Sequence, residues 1–254
     1  MLNSQYEIIS QLVRSVRDEI LAGYGKADHD VKSDNTVVTD TDKSVERKIT
    51  AALREKFPDV GIRGEEHGDS GDMDNYWLVD PIDGTENYVR GLPGITTIIA
   101  LVEGGELTQS YIYDIVDDDL YWAVRGEGAF KDDTQINVVE RELSRTLLTL
   151  SSNMPLRHPD VIRGLKDAGV KQMPILMGAG IKGCYVAGGK LDGILYLNHG
   201  GHEWDHRPIQ LLACEAGAKF TELPLQVEGR WSYALTTPRI HDAVVKAVNQ
   251  VLHD

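Results

Sequence analysis

At 254 residues, the chain is long enough to bury one large hydrophobic core or two closely packed lobes. Its 41% apolar and 26% charged residues are typical of a globular protein, and no apolar run approaches the about 18 residues that cross a bilayer. The formal net charge of −14 argues against a nucleic-acid partner, because binding to DNA or RNA needs basic surface. We therefore expect neither a nucleic-acid partner nor a membrane partner.

The cysteines and the N-terminal segment indicate a reducing compartment. Cys184 and Cys214 stand alone without CxxC spacing, which predicts neither a zinc site nor a disulfide framework. Residues 1–19 carry acids and lack the apolar core of a signal peptide. We expect a cytoplasmic protein.

The first part of the chain predicts two helices and a strand. Apolar residues recur at helical spacing over 8–20, which indicates an amphipathic helix. A capping pattern formed by Thr39 and Asp42 opens a second helix. A short strand over 60–63 then leads to Glu65.

The most informative stretch is an apolar run that ends in two aspartates. Residues 77–79 have the composition of a buried strand, and we expect Pro81 to end it, because proline lacks the amide hydrogen of a central strand. Asp80 and Asp83 then lie at the mouth of a sheet. Their carboxylate oxygens are the ligands that a hard cation such as Mg²⁺ prefers.

Directly after these aspartates, Gly84 and Thr85 offer backbone N–H groups where a helix begins, and such groups suit an anion. Carboxylates for a metal beside amides for a phosphate indicate metal-assisted attack on a phosphate ester. The net charge of −14 opposes an anionic substrate unless divalent cations invert the local field, so this hypothesis requires metal.

The remainder of the chain predicts strands and then alternating elements. Residues 95–124 predict an antiparallel set, with a hairpin turn at 103–106. From about Leu143, strands alternate with helices, and no linker interrupts the chain. We expect an α+β lobe over 1–142 that carries most metal ligands, and an α/β lobe over 143–254 that shares its cleft.

Several acids stand at the ends of predicted elements. Asp42 and Asp205 each have a simpler explanation as helix caps, and Glu65 and Glu66 as exposed loop acids. Their joint arrangement with the two aspartates favours a shared site, in which these acids would lie close together in the fold.

Four motifs follow one another along the chain. They are Val38-Thr39-x-Thr41-Asp42, Gly64-Glu65-Glu66, the stretch 77–88, and Trp204-Asp205 followed by Glu215-Ala216-Gly217. In order and spacing they resemble the inositol monophosphatase family of Mg²⁺-dependent, lithium-sensitive phosphatases. The resemblance implies a layered α-β-α-β-α sandwich of the inositol monophosphatase/fructose-1,6-bisphosphatase type, and a homodimer that Li⁺ inhibits.

The same resemblance implies a ligand set for two or three Mg²⁺ ions. Glu65, Asp80 and the carbonyl oxygen of Ile82 would hold one ion. Asp80, Asp83 and Asp205 would hold a second, with Asp80 shared between them.

It also implies the groups that act on water and phosphate. Thr85, paired with Asp42, would orient the attacking water and help to deprotonate it. The N–H groups of Gly84 and Thr85 would receive the phosphate.

Substrate recognition departs from the family pattern, in which an acidic residue shortly before the tryptophan binds ring hydroxyls. Asn198 and Glu203 are the candidates for that contact here. Lys182 either contacts a second anionic group or extends from a helix to solvent, and we favour the second interpretation. For His199 and its neighbours His202 and His206, contact with substrate or solvent is favoured over a metal site.

The leading hypothesis is a Mg²⁺-dependent phosphomonoesterase acting on a small polyol or sugar phosphate, first of all inositol monophosphate. Histidinol phosphate, fructose 1,6-bisphosphate and 3′-phosphoadenosine 5′-phosphate are alternatives within the same class. A non-catalytic regulator that binds metal or phosphate is disfavoured, because the matched residues are all intact. A glycosidase would use paired carboxylates without metal.

Overall fold

The computed structural model describes residues 4–32, 37–225 and 227–252 of the chain. Its helices are α1 (Ser4–Gly23), α2 (Asp40–Lys56), α3 (Thr85–Arg90), α4 (Met154–Arg157), α5 (Pro159–Asp167), α6 (Ala179–Ala187), α7 (Glu203–Glu215) and α8 (Pro238–Leu252). Its strands are β1 (Asp30–Val31), β2 (Val37–Val38), β3 (Gly61–Gly64), β4 (Gly68–Ser70), β5 (Asn75–Asp83), β6 (Thr96–Glu103), β7 (Glu106–Asp114), β8 (Asp119–Val124), β9 (Gly128–Lys131), β10 (Thr134–Ile136), β11 (Leu148–Leu150), β12 (Gly193–His199), β13 (Lys219–Glu222) and β14 (Trp231–Thr236). None of the described helices is long and apolar enough to cross a membrane.

Five layers of helix and sheet follow one another through the molecule. Helices α1 and α2 cover one face of the larger sheet, where Val45 and Ile49 pack against Trp77 and Val79. Helices α6 and α7 lie between the two sheets. Helices α5 and α8 cover the outer face of the smaller sheet. The order of layers is therefore α-β-α-β-α, as the resemblance to the inositol monophosphatase family implies.

The larger sheet brings two acid-bearing strands to one edge. Its eight strands have the order β10-β9-β8-β7-β6-β5-β3-β4, and antiparallel pairing from β5 to β10 includes the strands expected within 95–124. Strands β3 and β5 pair in parallel, with Gly64 opposite Val79. Because parallel strands end at the same edge, Glu65 follows β3 beside the end of β5.

Strand β5 continues through Pro81, so the expectation that this residue ends the strand was wrong. The ladder with β3 extends only to Val79, and the missing amide hydrogen of Pro81 falls beyond it. On the other side, pairing with β6 shifts register between Asp80 and Asp83. The hydroxyl of Thr97 donates to the carbonyl of Pro81 over 2.8 Å. This irregular end turns the two aspartates out of the regular ladder.

The smaller of the two layered sheets has the order β11-β12-β14-β13, with one parallel pair, β11 with β12. Strands β1 and β2 pair separately as a two-stranded antiparallel sheet. Helix α7 contacts strands of both sheets, so residues on either side of position 142 pack together. The division into lobes over 1–142 and 143–254 stays a prediction.

Candidate active site

A cavity of about 630 Å³ opens where several acid-bearing elements meet. The predicted metal- and phosphate-binding residues that line it are Glu65, Asp80, Ile82, Asp83, Gly84, Thr85 and Asp205. They come from the end of β3, the end of β5, the start of α3 and the first turn of α7. The volume lies within the range of about 300–1,000 Å³ that is usual for small-molecule sites.

Three aspartates form a compact cluster in this cavity. One oxygen from each of Asp80, Asp83 and Asp205 lies within 4.8 Å of the others. Oδ1 of Asp80 is buried and has no hydrogen-bond partner among the described residues. The cluster offers only oxygen ligands, and a hard divalent cation such as Mg²⁺ would also satisfy this unpartnered oxygen. The residues present therefore fit the metal that the sequence predicts.

Burial makes the negative charge of this cluster costly. Burial, together with the charge of Asp83, raises the pKa of Asp205 to about 7. Burial and the charge of Glu65 raise the pKa of Asp80 well above its usual value. Burial also raises the pKa of Asp83, although a hydrogen bond from the Ala179 N–H opposes this effect. A bound cation is the means by which such a group of carboxylates stays ionised at neutral pH.

Lys32 holds the outer carboxylates, and sequence reasoning missed it. Its ammonium group donates to Oε1 of Glu65 over 2.9 Å and to Oε1 of Glu66 over 2.6 Å. The N–H of Glu65 donates to the carbonyl of Val79, which fixes Glu65 beside β5. The N–H of Glu66 donates to Oε2 of Glu46 over 2.7 Å. Glu65 thus faces the cavity, whereas Glu66 is tied to the turn. No motif in the sequence marks Lys32.

Asp42 both caps a helix and contacts Thr85. The N–H of Thr39 donates to Oδ2 of Asp42 over 2.9 Å, and the N–H of Asp42 donates to the Thr39 hydroxyl over 3.3 Å. Oδ1 of Asp42 lies 3.4 Å from Oγ1 of Thr85, which donates over 3.0 Å to the carbonyl of Ile82. Burial raises the pKa of Asp42 to about 6. Asp42 is therefore a helix cap, as the simpler explanation has it, and it also makes the predicted contact with Thr85.

Gly84 is the N-cap of α3 and has a backbone conformation that favours glycine. Its φ is 86° and its ψ is 37°, and an added Cβ would lie 2.8 Å from the carbonyl oxygen of Gly94. Gly84 and Thr85 both line the cavity at this helix start. The first N–H groups of a helix have no partner within it, so they are free for an external acceptor.

The start of α6 packs directly on Asp83. The N–H groups of Ala179 and Gly180 donate to its two oxygens over 2.9 and 2.8 Å, and the Thr96 hydroxyl donates to Oδ2 over 2.8 Å. A Cβ on Gly180 would lie 2.2 Å from Oγ1 of Thr96. Sequence reasoning missed Thr96. The antiparallel register, which places it opposite Asp83, is the signal that would have found it.

The structure does not bring Asn198 or Glu203 to this cavity. Asn198 has a φ of 48°, and its N–H donates to the hydroxyl of Ser232 over 2.8 Å. Glu203 accepts from Arg63 over 2.8 Å and also from Arg207. Glu203 does not line the cavity, and these two arginines compensate its charge. The geometry gives no support to substrate contact by either residue.

Lys182 on α6 and Tyr196 on β12 line one wall of the cavity instead. Lys182 is only 5% exposed, so the expectation that it extends to solvent was wrong. Its ammonium group donates to Oη of Tyr196 over 3.0 Å. Burial lowers the pKa of Lys182 to about 8, against the opposing charges of Asp83 and Asp205.

The three histidines near α7 separate into a core residue and two cavity residues. His206 is buried, and its ring nitrogens are bonded to Oη of Tyr233 and the carbonyl of Gly200, each over 3.0 Å. Burial lowers its pKa to about 3. These bonds leave no ring nitrogen of His206 for a metal. His199 and His202 line the cavity.

Comparison with known proteins identifies the family of this chain. The model of the inositol monophosphatase family matches residues 1–253. Nus factor SuhB of Pasteurella multocida is 32% identical over 265 aligned positions, which cover 99% of this chain and 96% of that protein. Fructose-1,6-bisphosphatase/inositol-1-monophosphatase of Thermotoga maritima is 29% identical, with 96% and 95% covered.

The fold agrees with this assignment. The solved structure of Thermotoga maritima IMPase matches with a TM-score of 0.88 at 27% identity, over 99% of both chains. The predicted layered sandwich is thereby confirmed. The chain belongs to the inositol monophosphatase family, a family of Mg²⁺-dependent phosphatases.

Proposed function

We propose that this chain is a Mg²⁺-dependent phosphomonoesterase that uses water to hydrolyse a small polyol or sugar phosphate. The observation that carries the proposal is the cluster of the buried Asp80 and Asp83 with the partly buried Asp205; this cluster has one unpartnered oxygen and lies beside the helix start at Gly84. Metal ligands and an anion site in one cavity are the two parts that this chemistry needs.

The proposed ligands of two or three Mg²⁺ ions are Glu65, Asp80, Asp83, Asp205 and the carbonyl oxygen of Ile82. When bound, Mg²⁺ lowers the pKa of water and stabilises negative charge on phosphoryl oxygens. Glu65 would exchange its bond with Lys32 for this role, since its Oε1 accepts from that ammonium group.

The chain's own groups orient the reactants. Thr85 would accept a hydrogen bond from the attacking water. Its hydroxyl would turn its proton from the carbonyl of Ile82 to Asp42, whose Oδ1 lies 3.4 Å away, and pass that proton to it as it takes one from the water. A pKa of about 6 makes Asp42 an effective base near neutral pH. The N–H groups of Gly84 and Thr85 hold phosphoryl oxygens, which directs the ester towards that water.

Inositol monophosphate is the first candidate substrate, as the family assignment suggests. The bifunctional name of the Thermotoga relative supports fructose 1,6-bisphosphate as the alternative. Histidinol phosphate and 3′-phosphoadenosine 5′-phosphate complete the set of esters to be compared. A cytoplasmic homodimer inhibited by Li⁺ remains part of this proposal.

A second candidate function is a Nus-factor role, because the Pasteurella relative carries that name. The net charge of −14 disfavours direct binding to nucleic acid, so a partner protein would be the expected contact. Such a role is compatible with an intact active site.

A panel of these phosphate esters, assayed with Mg²⁺ and with EDTA, tests the catalytic proposal. We expect hydrolysis of at least one ester with Mg²⁺ and none with EDTA. Failure to hydrolyse any ester would contradict the phosphatase proposal, and metal-independent cleavage of a glycoside would support the glycosidase alternative.

A further inference from the structure

We infer that the substrate carries a second anionic group on its leaving group, a phosphate or a carboxylate, and that Lys182 binds this group. The inference rests on the proposed phosphatase function, because it assigns the wall of the same cavity that contains Lys182. Among the proposed esters it favours fructose 1,6-bisphosphate and 3′-phosphoadenosine 5′-phosphate over inositol monophosphate, whose leaving group carries no second anion.

Lys182 presents a charge in the cavity without a described anionic partner. Its described hydrogen bond goes to a neutral phenol, Oη of Tyr196, over 3.0 Å, and it forms no ion pair with any described residue. At 5% exposure, it is also largely shielded from water. An ammonium group has three donors, and a buried one normally pairs with an anion.

The acids whose charges act on Lys182 form no ion pair with it. Asp83 and Asp205 act on it only through space, and both belong to the proposed metal site. A divalent cation held by these carboxylates would take up their negative charge. An anion delivered by the substrate would then compensate Lys182.

The aromatic side chains of Tyr196 and His199, which line the cavity with Lys182, are neutral. Tyr196 is fully buried, and its ring stacks on His199 with 4.3 Å between the centroids. Burial lowers the pKa of His199 to about 4, so the imidazole is uncharged at neutral pH. Glu203, which would have bound hydroxyl groups, lies outside with its arginines. The wall therefore suits an oxyanion better than a ring of hydroxyl groups.

Two matched pairs of ligands test this inference. Fructose 1,6-bisphosphate and fructose 1-phosphate differ by a second phosphate, and 2-phosphoglycerate and glycerol 2-phosphate differ by a carboxylate. Dissociation constants are measured by titration calorimetry with Ca²⁺ in place of Mg²⁺, which separates binding from turnover. A charge-assisted hydrogen bond predicts that the doubly anionic member of at least one pair binds about tenfold or more tightly.

The variants separate Lys182 from general effects of charge. In Lys182→Met the preference within the pair should fall to about twofold or less, and in Lys182→Arg most of it should remain. Lys190→Met is the matched control, because that exposed lysine lies over the ring of Tyr185 at 4.6 Å and does not line the cavity. The control should keep the wild-type preference.

The outcomes distinguish a failure of the Lys182 inference from a failure of the phosphatase proposal. No preference in the wild-type protein, or an equal loss for both members of a pair in Lys182→Met, would overturn the inference. The wild-type preference needs no variant, so poor folding of Lys182→Met does not remove the test. A selective binder that hydrolyses none of the esters with Mg²⁺ would contradict the phosphatase proposal and leave the role of Lys182 supported.

Discussion

Two aspartates of the candidate site differ in how many of their oxygens are already bonded. Oδ1 of Asp80 has no partner among the described residues. Both oxygens of Asp83 accept hydrogen bonds, from Ala179, Gly180 and Thr96. The same change from carboxylate to amide therefore removes buried charge at Asp80, whereas at Asp83 it also places an NH₂ group against donors.

Asp80→Asn and Asp83→Asn form a matched pair for this difference. Both should lower kcat/KM with Mg²⁺ by about a hundredfold or more, because each removes a proposed metal ligand. In EDTA, Asp80→Asn should raise the melting temperature, since a buried charge is removed. Asp83→Asn should lower it, because mismatched donors cost about 1–3 kcal/mol. A melting temperature of Asp80→Asn at or below that of Asp83→Asn would contradict the assignment.

The variant Thr85→Ala tests the role of the Thr85 hydroxyl in activating water. Thr85→Ala should lower kcat by about a hundredfold, because general-base assistance of this kind contributes about 10²–10⁴-fold. The Mg²⁺ concentration at half-maximal activity should change little, since the hydroxyl is not a proposed ligand. Thr85→Ser keeps the hydroxyl and serves as the control. Equal turnover in Thr85→Ala and the wild-type protein would rule out the proposed proton path to Asp42.

At the scale of elements, the sequence predicts the helices and strands whose form depends on residues close together in the chain. The antiparallel strands within 95–124 follow from their composition and the turn at 103–106, and the structure contains them. The effect of Pro81 depends instead on which side of β5 has a partner, and only the assembled sheet determines that. Lys32 and Thr96 were missed for the same reason, because each acts on an acid of another element.

The contact between α6 and β6 gives a prediction at this scale. Gly180→Ala places a Cβ 2.2 Å from Oγ1 of Thr96, so the start of α6 must shift away from Asp83. We expect a loss of about 1–3 kcal/mol in the free energy of unfolding, measured by urea denaturation.

A double variant identifies the cause of that loss. Thr96→Ala removes the crowding oxygen, so Gly180→Ala should cost less in a Thr96→Ala background than in the wild-type protein. Additive losses would show that the crowded contact is not the source of the instability.

At the scale of the whole molecule, the cavity joins the layers. Asp80 and Asp83 come from the larger sheet, whereas Asp205 comes from α7, which contacts both sheets. Their close approach places buried negative charge inside a protein whose net charge is already −14. Without a cation, the repulsion among these carboxylates opposes the packing that brings them together, so metal binding and stability should be linked.

Addition of Mg²⁺ should therefore stabilise the protein, as thermal unfolding can measure. At a concentration one hundred times the dissociation constant, mass action contributes about 2.7 kcal/mol, which corresponds to a rise of about 5–10 °C for a chain of this size. NaCl at equal ionic strength controls for general screening and should give a smaller rise. The Mg²⁺-specific rise should shrink in Asp80→Asn, because the cluster loses one negative charge and one of its carboxylate oxygens. Equal effects of the two salts on the wild-type protein would mean that the three aspartates do not form a cation site.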